Sequence, residues 1–225
     1  IVWGKFLNSG QTCVAPDYFY VHKDIKEEFI EYLIKYIEEF YGKNIEDNGD
    51  YVRIINERHF NRLIELIDKD KIVYGGDSNL EKLYIAPTIM DNINWNDKVM
   101  EDEIFGPIIP ILEYDSIVEV IEEIKRRPRP LALYVFSTNE KIVAKVINSI
   151  SFGSGCINDT IMHLTNPNMP FGGVGNSGMG HYHGKYSFDT FTHYKSISDK
   201  SLSPDIEMRY PPYKRGLKWV KRIMK

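Results

Sequence analysis

The chain has 225 residues, 43% apolar and 27% charged, with a formal charge of -4 at pH 7. It can bury a sizeable core, and it lacks the bulk basicity of a nucleic-acid binder. Two cysteines build no disulfide framework, no secretory leader is legible, and no apolar run reaches the roughly eighteen residues of a membrane span, so a cytoplasmic setting is expected.

The chain opens on "IVWGKF", already inside an amphipathic helical pattern and without a methionine, and reads as a piece of a longer protein. A loop follows, "FLNSGQTCVAP", in which Asn, Ser, Gly, Gln and Thr surround Cys13. "YFYVH" (18–22) has strand composition. Residues 24–42 repeat apolar side chains at Ile25, Phe29, Leu33, Ile37 and Phe40, with Asp24 and Glu27 placed as a capping box and Gly42 as the stop, which predicts a helix. A second helix is expected over 56–68, and "KIVYGG" reads as a strand closed by glycines. "YIAPTIM" and "PIIPILEY" are strand candidates whose prolines point to edges, bulges or strand ends. A helix over 116–127, a fully apolar buried strand over 131–137, a helix over 139–150 and a short strand over 152–159 complete the alternation. This predicts an α/β fold, a mostly parallel open twisted sheet flanked by helices, with functional groups near the carboxyl ends of the strands. Residues 165–184 form a long Gly, Asn and Pro-rich loop, 187–197 alternate like a strand, and the last residues form a basic amphipathic stretch.

Several features invite chemistry. Cys13 lies among small polar neighbours that keep its sulfur reachable, in a loop whose N–H groups can favour a thiolate and later hold an oxyanion, although by its residues alone an ordinary semi-buried cysteine is the favoured reading. Cys156, on a presumed core strand, is assigned none. "GVGNSG" has glycines 173, 175 and 178 in dinucleotide-loop spacing but lacks a strand before it and a helix after it, so close backbone packing is the better account. His181 and His183 have no companion ligand motif, and no metal is expected. "EDEIFGP" (101–107) reads by composition as an acidic loop.

Together, "FLNSGQTC", "DEIFGP", "YIAPTIM" and "MPFGGVGNSGMGHYHGKYSFDTFTHYKSI" resemble the catalytic half of the aldehyde dehydrogenase superfamily, over nearly all of residues 1 to 213. "GCINDTIMHLTNPNMPFGGVG" and "YPPY" are most similar to its class 3 and fatty aldehyde branch. The resemblance implies that Cys13 is the nucleophile, attacking an aldehyde to give a thiohemiacetal and then a thioester that is hydrolysed to the acid, with NAD or NADP as oxidant. It implies that Glu103 accepts from the nicotinamide ribose, that Phe105 packs beside it, and that His59 and Arg62 face the cofactor. Phe171 matches the substrate-tunnel wall, His163 lies in the variable loop before it, and Asn8 is matched as a structural hydrogen bonder.

The resemblance further divides the chain into a catalytic domain over 1–186 and an oligomerisation strand with a basic tail over 187–225, in a homodimer. The family's base glutamate, its oxyanion asparagine and its cofactor domain fall before the stretch matched here, so the isolated chain is expected to be inactive or nearly so. Two alternatives stand beside this: a cysteine-dependent esterase or thioesterase, and a non-catalytic oligomerisation fragment. In the tail, Leu217, Val220, Ile223 and Met224 share a face, a pattern compatible with anionic membrane, although a solvated tail is preferred.

Overall fold

The computed structural model describes residues 1–205, 210–213 and 216–223, in two compact units, 1–190 and 191–225. In the first unit, α1 (Val2–Phe6), β1 (Phe19–His22), α2 (Lys26–Tyr41) and α3 (Glu57–Leu66) lead into four short strands. These are β2 (Ile72–Tyr74), β3 (Ser78–Asn79), β4 (Tyr84–Ile85) and β5 (Thr88–Met90). Then come β6 (Ile108–Tyr114), α4 (Ile117–Lys125), β7 (Ala132–Val135), α5 (Glu140–Ser149), β8 (Ser154–Ile157) and α6 (Gly184–Phe191).

The main sheet runs β1-β6-β5-β2, with β6 parallel to both β1 and β5 and β2 antiparallel at the edge. Two-residue periodicity sorts its side chains. Ile109 and Ile111 join Ile89, Val21 and the Ile30, Leu33 and Ile37 face of α2, while Ile108 and Leu112 join Met90 and the Phe60, Leu63 and Leu66 face of α3. Both faces of β6 are covered, which is why it reads as a continuous apolar run. Among the described residues β3 pairs only with β4, and β7 pairs in parallel only with β8. Around the β7–β8 pair, Ile121 of α4, Val135, and Val146 of α5 form a separate core with Ile150.

Five expectations change. β6 is central, not an edge: Pro110 ends the β5 ladder and the β1 ladder begins at Ile111, so its missing N–H falls at a hand-over. Pro87 splits "YIAPTIM" into β4 and β5. No side chain caps α2; His22 instead accepts from Asp24 N–H at a short turn before it, and Ile25 and Phe40 are exposed. Of β7 only Val135 is buried, because the pair presents open edges.

The strand expected over 187–197 does not form. Its first residues belong to α6, where local pairs satisfy the backbone and side chains: Ser187 Oγ accepts from His183 N–H at 2.9 Å, and Lys185 pairs with Asp189 one turn on. Residues 192–200 carry no regular structure. In the second unit, α7 (Gly216–Ile223) begins the tail with Leu217 exposed, and Met224 lies outside the described residues. Among the described residues no helix is long and apolar enough to cross a membrane.

Candidate active site

The loop that carries Cys13 is folded by its own polar residues. After α1 the chain turns through Asn8, Ser9 and Gly10 at φ 53°, 52° and 75°, two of them outside the region comfortable for a side chain. Hydrogen bonds repay that strain. Asn8 donates to the Gln11 carbonyl at 3.0 Å, while Gln11 Nε2 donates to the carbonyls of Asn8 and Arg53, both at 3.1 Å. Gln11 Oε1 accepts from Ile55 N–H at 2.9 Å, and Ser9 bonds the Val52 carbonyl. Gly10 is demanded by contact as well as by φ: a Cβ there would lie 2.3 Å from the Gly106 carbonyl. Cys13 then sits in a turn closed by Ala15 N–H to the Thr12 carbonyl at 2.9 Å, its side chain exposed while Val14 beside it is fully buried. Among the described residues no acceptor meets Cys13 N–H and no imidazole meets its Sγ.

The 101–107 loop packs against this one. Asp17 accepts from Ile104 N–H at 3.1 Å, joining the approach to β1 with the approach to β6. The site therefore lies at the amino ends of two parallel strands, not at the carboxyl ends as expected, because the reactive loops enter these strands instead of leaving them. His59 Nε2 lies 2.7 Å from the carbonyl of Phe105, itself left-handed at φ 55°. Nε2 must carry the proton to donate there, which leaves Nδ1 to accept from Arg62 Nε at 3.4 Å. Arg62 also donates to the carbonyls of Glu103, at 3.2 Å, and Ile104. Both side chains thus hold the loop that presents Glu103 and Phe105. The Glu103 side chain is exposed, and no described donor meets its carboxylate.

Beneath the two loops lies a charge cluster that sequence reasoning missed. Lys5 is buried at 1% exposure, and burial lowers its pKa to about 8 against the opposing pull of Asp17 and Glu103. Burial likewise raises Asp17, with Lys5 and Arg62 opposing; Glu103, exposed on its outer side but partly desolvated against this cluster, is raised by that desolvation and by Asp17, with Arg62 and Lys5 opposing. A lysine on the apolar face beside Val2 and Phe6 was the available signal for this cluster.

Phe171 and His163, expected on the substrate side, belong to another group. Phe171 is held by a two-bond bridge to Tyr182, at 3.0 and 2.9 Å, and packs with Val14 and Ile161. His163 lies buried 6.1 Å, ring to ring, from Phe171, with Nδ1 toward Cys156. Burial keeps its imidazole below its ordinary pKa. Tyr134 ties this group to the nucleophile loop, its hydroxyl donating to the Val14 carbonyl at 2.7 Å. The glycines of "GVGNSG" form a tight turn, where a Cβ on Gly173 would lie 2.1 Å from the Ser177 carbonyl. Among the described residues no His, Cys, Asp and Glu cluster could hold a metal.

Comparison with known proteins matches residues 1–197 to the model of the aldehyde dehydrogenase family. The chain is 52% identical over its whole length to a 4,4'-diaponeurosporen-aldehyde dehydrogenase of Staphylococcus aureus, covering 50% of that protein. It is 50% identical to the mouse dimeric NADP-preferring aldehyde dehydrogenase, with 94% of this chain and 47% of that protein aligned. A solved structure described as the substrate-bound state of Staphylococcus aureus AldH superposes with a TM-score of 0.92 at 52% identity, covering 99% of this chain and 49% of that one. The chain spans about half the length of the curated relatives it matches.

Proposed function

This chain belongs to the aldehyde dehydrogenase family, and from that premise we propose that it carries the nucleophile and part of the cofactor site for NAD(P)-dependent oxidation of aldehydes to carboxylic acids. The observation that carries the reading is Cys13: an exposed thiol in a turn whose N–H is unspent, on a loop fixed from both sides. Its sulfur attacks the aldehyde carbon to give a thiohemiacetal, and the turn N–H donates to the developing oxyanion. One such donor contributes about 10² to 10³ in rate. The acyl group later leaves Cys13 as the acid through hydrolysis of a thioester.

The residues present fit a nicotinamide dinucleotide at its ribose end. Glu103 offers an exposed carboxylate with both oxygens free to accept from a diol, and Phe105 offers an aromatic wall beside it. When bound, that group supplies the two-electron acceptor. His59 and Arg62 act as positioning residues, holding the carbonyls of 103–105 and so the direction of Glu103. Phe171 and His163 line the aldehyde side. The coverage of half of each relative supports the further reading that the 225-residue chain alone turns over little or not at all. The esterase alternative finds no described imidazole against Cys13 to support it.

The test follows NAD(P)H absorbance with hexanal and benzaldehyde, using the chain as given and a version extended at its N-terminus to the length of its relatives. Activity in the extended protein that Cys13→Ser lowers by several orders of magnitude is expected. Undiminished activity in that variant would remove Cys13 as nucleophile, and robust activity of the 225-residue chain would overturn its incompleteness.

A further inference from the structure

The second cysteine has a partner that the first lacks. Cys156 on β8 stands in parallel register with Tyr134 on β7. Its Sγ lies 3.3 Å from Nδ1 of His163. Tyr134 and Phe171 flank that imidazole at ring distances of 5.9 and 6.1 Å. His163 is 6% exposed and its Nε2 has no hydrogen-bond partner. A buried polar atom left unmet costs about 1 to 3 kcal/mol, so an apolar side chain would fill this position better if packing were its only task. The thiol itself is half-buried and the proposed oxidation does not use it.

We propose that Cys156 is a second reactive thiol, with His163 as its base, that takes α,β-unsaturated aldehydes by conjugate addition. The choice of aldehydes rests on the function proposed above, whereas activation of the thiol does not. In the addition, Cys156 Sγ forms a bond to the β-carbon as the carbon–carbon π bond breaks. The thiol proton passes to His163 and then to the α-carbon, and nothing is oxidised or reduced. Tyr134 stands between the adduct site and the Cys13 loop, its hydroxyl donating to the Val14 carbonyl.

The titratable groups facing the imidazole are Cys156 from β8 and Tyr134 from β7, with Phe171 closing a third side. Burial holds Tyr134 neutral far above physiological pH and favours neutral His163, the form that can accept a proton.

The experiment uses the Cys13→Ser chain without dinucleotide, treated with trans-2-hexenal, following the Cys156 adduct by peptide mass spectrometry between pH 6.5 and 8.5. The expected rate changes less than about threefold across that window, and His163→Gln lowers it at least about tenfold. A rate falling about tenfold per unit below pH 8.5, as for an unassisted thiol, would overturn the proposal. A folded His163→Gln chain that reacts at the parent rate would do the same, and if that variant does not fold the pH profile alone decides. Neither readout involves aldehyde oxidation, so failure here and failure of the proposed function are told apart.

Discussion

Cys13 and Cys156 lie in the same compact unit and are made reactive, on the readings argued here, by opposite means. Cys13 is exposed and meets no imidazole among the described residues; what surrounds it is backbone, turned into place by Asn8, Ser9, Gly10 and Gln11. Cys156 is half-buried on a regular strand and meets one imidazole at 3.3 Å. A thiol held by a strained loop depends on geometry supplied several residues away, while a thiol held by a base depends on one side chain. The two sites should therefore fail under different substitutions.

The largest effect expected within the Cys13 loop comes from a single methyl group at Gly10. Alanine there must adopt φ 75° and push its Cβ into the Gly106 carbonyl, so the two loops must part. We expect Gly10→Ala to cost about 2 kcal/mol or more in urea unfolding and to abolish turnover in the extended protein. Adduct formation at Cys156 should continue at the parental rate, measured in the Cys13→Ser background. If both thiols lose reactivity together, the contrast drawn between them is wrong.

The sequence made the Cys13 half of this contrast legible and hid the other half. "NSGQTC" combines residues that tolerate left-handed backbone with residues that bond it, so a built loop around Cys13 could be read directly, whereas the role of its thiol came only from the family resemblance. The helices over residues 57–66 and 140–149 were legible for the same kind of reason, since Asn56 and Asn139 cap them. Contacts distant in sequence were not legible. Nothing local tells that Asp17 reaches Ile104, that His59 and Arg62 spend their donors on the 103–105 carbonyls, or that Tyr134 binds Val14. Cys156 to His163 spans only seven residues, yet the left-handed turn at Ile161, φ 63°, folds the imidazole back onto the strand. An isoleucine gives no warning of such a turn. Residues 187–191 show the converse: alternation alone suggests a strand, but the local pairs of α6 prevail.

A smaller effect should appear where the two thiol sites touch. Tyr134→Phe removes only the hydroxyl that holds the Val14 carbonyl at 2.7 Å, leaving the ring against His163. The stability loss should be about 1 kcal/mol. In the extended protein kcat should fall severalfold with the KM for aldehyde little changed, because the loop and not the wall is loosened. A KM effect alone would place Tyr134 on the aldehyde path instead of under the nucleophile.

The most gradual effect is a slope, and it tests the charge cluster that lies on the Cys13 side only. Lys5 has an ordinary pKa near 10.5 when unfolded and one lowered by burial to about 8 when folded. Between those values the unfolded chain binds the proton that the folded chain has released, so this residue's contribution to stability rises with pH from about 8 to about 10.5. Below pH 8 both states hold the proton and the contribution is flat. Buried tyrosines pull the other way near the top of that range: Tyr18 and Tyr84 are raised by burial to about 12, and the folded state loses stability as they ionise in the unfolded chain. The comparison must therefore be made as a difference, urea midpoints of the parent minus those of Lys5→Met, taken at intervals from pH 7 to 10. That difference should move in the parent's favour as pH rises. A flat difference would mean that Lys5 titrates like a solvated lysine and that Asp17 and Glu103 keep it fully charged beneath the loop, whereas no change in Cys156 reactivity is expected in either case.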